Sequence, residues 1–173
     1  MDQLGLAFTP RQLLVRPGQR IEFVNSETLA HNVHVSFADS DSTVFVADMD
    51  PADRREISLE REGGYDVTCD VHPGMRAFIF VTSAPYAVFA EADGSFRMPE
   101  VSPGSYTASV WSVSPALRGE RAVEVSGLRD RAPAEHLPMS ADLCRNRHIR
   151  PGSGGIMPVV AEPPRRLILH RDL

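Results

Sequence analysis

Apolar and polar residues alternate in short runs over the first half of the chain. Leu13-Leu14-Val15 leads into the turn residues Arg16-Pro17-Gly18-Gln19, and Ile21, Phe23 and Asn25 follow with alternate spacing. That arrangement predicts a hairpin. Val33 to Phe37, Glu56 to Leu59, Tyr65 to Cys69 and Ala77 to Val81 read as further strands, punctuated by Gly63-Gly64 and Pro73-Gly74. Asp39 to Ser42 reads as a loop, and Asp50 could cap a short helix over Pro51 to Arg55. Many short strands at this spacing predict an all-β sandwich or barrel.

The alternation continues with Tyr86 to Ala90, a turn at Asp93-Gly94-Ser95, Phe96 to Met98 entering a strand, then Tyr106 to Trp111 and Arg121 to Val125. After residue 128 the pattern is lost. Residues 129–173 hold six prolines and three glycines and show no sustained period, so they are expected to be disordered. Val159-Val160 and Leu167-Ile168-Leu169 stand out there as short apolar segments able to dock. The expected organisation is a domain over 1–82, a small β-module over 83–128 and a tail over 129–173.

Charge sharpens that division. Residues 1–128 carry 10 arginines and 18 acids, and residues 129–173 carry 8 arginines and 5 acids, for a net charge of -5 over the chain. An acidic body argues against a general nucleic-acid binder. No run approaches the length of a transmembrane helix. Met1 to Phe8 shows neither a basic start nor a long apolar stretch, so it does not read as a secretory signal.

The chemistry concentrates in Cys69-Asp70-Val71-His72-Pro73-Gly74-Met75. A strand delivers the thiolate, and the Pro73-Gly74 turn can fold His72 and Met75 back toward it. His31, between two strands, offers a second imidazole. Two histidines, one cysteine and one methionine are the donor set that suits copper in electron-transfer sites: soft sulfur favours Cu(I), and imidazole serves both oxidation states. Cys69, His31 and His72 would form the trigonal set, with Met75 as the long axial ligand. His34 lies three residues beyond His31 and should face the other side of the sheet, as a surface residue. Zinc would want more cysteine, and the two cysteines, Cys69 and Cys144, cannot hold a four-thiolate cluster. Cys144 and His148 read as tail residues.

These motifs resemble the cupredoxins, the blue-copper proteins. The resemblance lies in Phe8-Thr9-Pro10, Val15 to Gln19, Ile21 to Asn25, His31-Asn32-Val33 and Cys69 to Met75, over roughly residues 4–82. The Cys-x-x-His-x-x-Met spacing is most similar to amicyanin. The resemblance implies a Greek-key sandwich with one copper ion at one end, held by His31, Cys69 and His72 with Met75 axial. It implies further that Asn32 lies with its backbone near the cysteine sulfur, and that Asn25 ends the strand before the first ligand loop. Residues 88–125 resemble a carboxypeptidase-regulatory-like, transthyretin-like β-module. Bacterial proteins with this tandem are often labelled plastocyanin-like or methylamine-utilisation proteins, and such relatives imply the periplasm.

The expected function is a one-electron carrier rather than an enzyme. Thr68 and Asp70 flank the cysteine where multicopper oxidases place histidines, and no second set of histidine pairs exists. His72 is the expected electron gateway, with Pro73, Gly74 and Phe8 as apolar docking residues for a redox protein partner. Two other classes compete: a copper-handling protein that carries no current, and an envelope β-sandwich interaction protein.

Overall fold

The structure is a computed structural model. It describes residues 1–90, 94, 96–98, 100–112 and 115–126, and the backbone of 166–171. The chain divides into two compact units, Met1–Ser83 and Ala84–Leu173.

The first unit is built on alternation. In β5 (His31–Phe37), His31, Val33, Val35 and Phe37 all point inward and are buried, while His34 and Ser36 are partly exposed. With β3 (Gln12–Val15), β6 (Ser42–Met49), β8 (Gly63–Thr68) and β9 (Arg76–Val81) it forms a sheet in the order β3-β9-β8-β5-β6. A second sheet contains β1 (Asp2–Gln3), β2 (Phe8–Thr9), β4 (Arg20–Asn25) and β7 (Arg54–Ser58), in the order β2-β1-β4-β7. β1 runs parallel to β4 and β3 parallel to β9; the other pairs are antiparallel. Phe8, Ile21 and Phe23 from one sheet share a core with Val15, Val33, Val35, Met49, Tyr65, Val67, Ile79 and Val81 from the other. Burying each such side chain contributes about 1.5–3 kcal/mol, so the two apolar faces make a sandwich.

In this unit two expectations change and one strand is new. The turn at Arg16 to Gln19 forms, closed by Gln19 N–H donating to the Arg16 carbonyl at 3.0 Å, with Gly18 at φ 72°. It joins no hairpin, because β3 pairs with β9 while β4 pairs with β1 and β7 in the opposite sheet. The helix over Pro51 to Arg55 is replaced by a turn, Asp53 N–H to Asp50 carbonyl at 2.9 Å, from which Arg54 enters β7. Strand β6 was not expected: its outward positions carry Val44 and Val46, half-exposed valines that blur the alternation of Phe45, Ala47 and Met49.

Among its described residues the second unit forms an antiparallel sheet, β10-β13-β11-β12. Its strands are β10 (Tyr86–Phe89), β11 (Gly104–Trp111), β12 (Gly119–Val125) and β13 (Arg166–Arg171). Buried Tyr106 and Ala108 centre its core, with Tyr86, Phe96, Met98 and Val123 packed around them. Phe96 to Met98 is not a strand. Within the segment expected to be disordered, Arg166–Arg171 pairs with both β10 and β11, so Leu167-Ile168-Leu169 lies in the chain's own sheet. Residues 129–165, with Cys144, His148 and Val159-Val160, lie outside the described residues.

Candidate metal centre

Strand pairing brings the sulfur and the imidazoles to one end of the first unit. β5 and β8 are neighbours, with His34 opposite Thr68. His31 therefore opens β5 beside the point where β8 ends and Cys69 begins. The chain then turns: Met75 N–H donates to the His72 carbonyl and Cys69 N–H to the Met75 carbonyl, both at 3.2 Å. Gly74 supplies the tight part of that turn at φ 98°, a conformation L side chains rarely adopt. Met75 ends the loop, buried in the core just before β9.

The donor atoms of His31, Cys69 and His72 all lie within 4.8 Å of one another. Cys69 Sγ is 3.9 Å from His31 Nδ1 and 3.8 Å from His72 Nδ1, and the two nitrogens are 3.0 Å apart. A point equidistant from those three atoms lies about 2.1 Å from each, which suits metal–imidazole and metal–thiolate bonds of about 2.0–2.3 Å. The residues present thus fit a single metal ion. His31 and Cys69 are buried and His72 is partly exposed.

The surrounding hydrogen bonds aim these donors. His31 Nε2 lies 2.6 Å from Glu27 Oε2, so Nε2 carries the proton and the Nδ1 lone pair faces Cys69 and His72. Leu6 N–H donates to the other oxygen of Glu27 at 2.9 Å. That bond and the His31 ring together hold the Glu27 carboxyl below its ordinary pKa. Asn25 ends β4, fully buried. Its amide donates to the carbonyls of Leu29 and Met49, at 2.8 and 2.9 Å, and its side-chain oxygen accepts from Glu27 N–H at 2.9 Å. It thereby shapes the loop that delivers Glu27 and His31.

Asn32 ties β5 to the ligand loop through its side chain. Its Oδ1 accepts from Asp70 N–H at 2.7 Å and its Nδ2 donates to Asp70 Oδ2 at 2.8 Å. His34 lies on the outer face, as alternation predicts, against the Asp70 carboxylate. The bonds from Asn32, then His34, hold the Asp70 carboxyl below its ordinary range. Sequence reasoning passed over Glu27, Asp70 and Gln3, whose Nε2 donates to the Asn32 carbonyl at 3.0 Å. Only Asp70 sits inside the motif; the others reach the site through loop and strand packing. Phe8, expected on a docking surface, is fully buried in the core, because β2 turns its aromatic ring inward.

Residues 1–82 match the family described as copper binding proteins, plastocyanin/azurin family. They form a cupredoxin-like domain. It covers about 47% of the chain. Solved structures similar to the chain include amicyanin variants. One, in the Cu(I) state, is 23% identical with a TM-score of 0.43, covering 47% of this chain and 78% of that one. A reduced variant and an oxidised one are each 24% identical, with the same TM-score and coverage. Among curated proteins, none matches the chain. No helix among the described residues is long and apolar enough to cross a membrane.

Proposed function

We propose that this chain is a type-1 (blue) copper protein that carries one electron by the Cu(II)/Cu(I) couple. His31, Cys69 and His72 would be its equatorial ligands and Met75 its axial one. The observation that carries the reading is the convergence of one thiol and two imidazole nitrogens on a point about 2.1 Å from each. When bound, copper supplies reversible one-electron exchange, and the thiolate, imidazole and thioether set suits both of its oxidation states.

The protein's own residues support that role. Burial of His31, Cys69 and Met75 excludes water from the donor side. Glu27 fixes the His31 tautomer, and Asn25 and Asn32 hold the two ligand loops. His72 is the most exposed of the three cluster residues and serves as the electron gateway. Val71 beside it is 57% exposed, and Leu6 and Leu29 lie half-exposed on segments hydrogen-bonded to Glu27 and Asn25. Apolar side chains of this kind suit brief contact with a redox protein partner, since electron-transfer encounters bury little area.

The finer reading of the rest of the chain follows the same resemblance. Residues 83–128 would be a carboxypeptidase-regulatory-like, transthyretin-like module, and the protein would work in the periplasm. Voltammetry of the copper-loaded chain tests the carrier role. A reversible one-electron wave is expected, and Met75→Leu should raise its potential while copper stays bound, because the axial donor that favours the oxidised state is lost. Transfer of Cu(I) to an acceptor without a reversible wave would replace the carrier with a copper-handling protein.

A further inference from the structure

We infer that Asp70, braced by His34, is a positioning residue of the metal centre: it locks the Cys69 to Met75 loop onto β5 and fixes a negative charge one residue from the thiolate. The lock is a closed ring of two bonds, one made by the backbone at position 70, which any residue there other than proline would keep, and one made by the carboxylate. Asp70 N–H donates to Asn32 Oδ1 at 2.7 Å, and Asn32 Nδ2 donates back to Asp70 Oδ2 at 2.8 Å. Asn32 is itself anchored, since fully buried Gln3 on β1 donates to its carbonyl at 3.0 Å.

His34 holds the carboxylate from the other side. Its Nδ1 is 3.1 and 3.2 Å from the two Asp70 oxygens, and its Nε2 is 2.9 Å from Thr43 Oγ1 on β6. With both ring nitrogens engaged, the imidazole is fixed rather than free on the surface. The strut therefore runs from β1 through β5 to the ligand loop, and from the loop through His34 to β6.

The carboxylate at position 70 accepts from Asn32 Nδ2 and faces His34 Nδ1 with both oxygens, and its acceptor-only chemistry selects the His34 tautomer that carries a proton on Nδ1. An amide there could keep both contacts only by shifting that proton to Nε2, toward Thr43, and it would carry no charge. A ligand held by such outer contacts keeps its orientation when the metal changes charge. The same carboxylate disfavours the less positive reduced ion, and so lowers the potential. Asp48 provides a comparison. It is exposed on β6 directly opposite Asn32, and among the described residues it has no hydrogen bond to the loop.

The charge effect rests on the copper reading, and the experiment separates the two. In the full-length metal-free protein, amide exchange over residues 69–75 should speed up about tenfold in Asp70→Ala and measurably in His34→Ala. Asp48→Asn should leave it unchanged. In the copper-loaded protein, Asp70→Asn should shift the Cu(II)/Cu(I) balance about tenfold toward Cu(I), about 59 mV for a one-electron couple. Asp48→Asn should shift it by less than half as much. Should Asp70→Ala not fold, Asp70→Gly and His34→Ala carry the exchange comparison. Unchanged exchange in these variants, or equal shifts in Asp70→Asn and Asp48→Asn, would overturn the inference. Wild-type protein that takes no copper, with exchange responding as expected, would support the brace and refute the copper reading.

Discussion

Glu27→Ala removes the acceptor of a proton that has nowhere else to go. The His31 side chain is fully buried, and its Nε2–H is held by Glu27 Oε2 at 2.6 Å. Without the carboxylate, the ring is free to rotate or to exchange tautomers, and the Nδ1 lone pair is no longer aimed at the point shared with Cys69 and His72. Partners that orient a ligating imidazole are worth about 10- to 100-fold in metal affinity. The burial and short charge-assisted contact place Glu27→Ala toward the upper end. Glu27→Gln is milder but not silent. The two carboxylate oxygens serve Leu6 N–H and His31 Nε2–H separately, and an amide has one oxygen for both. A loss of about threefold to tenfold is expected for it. Competition against a colorimetric Cu(I) chelator at neutral pH measures both variants, with thermal melts of the metal-free forms as a folding control. A folded Glu27→Ala protein that holds copper within about twofold of wild type would refute this role for the carboxylate.

Three other perturbations probe the fold around the site. Gly63 sits at φ 131°, and an added Cβ would lie 2.9 Å from Phe37 Cε2; Gly63→Ala should cost about 1–3 kcal/mol in urea melts, and a cost under about 0.5 kcal/mol would contradict the packing. Deleting residues 129–173 takes β13 from between β10 and β11, so limited proteolysis should attack residues 84–126 faster while the copper spectrum stays unchanged; loss of the spectrum would give the tail a part in the site. Glu27 and Asp70 have depressed carboxyl pKa values, so each contributes stability above its unfolded value near pH 4 that is lost as pH falls through the lower folded value. The metal-free protein should therefore lose stability below about pH 4, less steeply in a Glu27→Gln/Asp70→Asn variant, although Asp66, which burial pushes up, acts in the opposite sense.

What was legible in the sequence was local. The inward faces of β4, β5 and β8 follow from alternation at Ile21 and Phe23, Val33 and Val35, and Tyr65 and Val67, and all six side chains are buried. Cys69, His72 and Met75 could be grouped because one turn spans them. Pairing was harder to read. The turn at Arg16 to Gln19 has the same residues whether the next strand returns to its neighbour or crosses to the other sheet. β6 was hidden by its outward valines, and Arg166–Arg171 by the prolines that precede it. Glu27 meets His31 only because a loop folds between them. Gln3 reaches Asn32 across 29 positions of sequence, through a parallel strand pair that no short pattern announces.

The central claim is that Cys69, His31 and His72 hold one copper ion through a thiolate bond. Titration of Cu(II) into the metal-free chain, followed by optical absorbance and paramagnetic resonance, tests it most directly. The account predicts one copper per chain and an intense visible thiolate charge-transfer band. Cys69→Ser should abolish that band, and Cys144→Ser should leave it intact. Copper binding without the band, or a band that survives Cys69→Ser, would contradict the account.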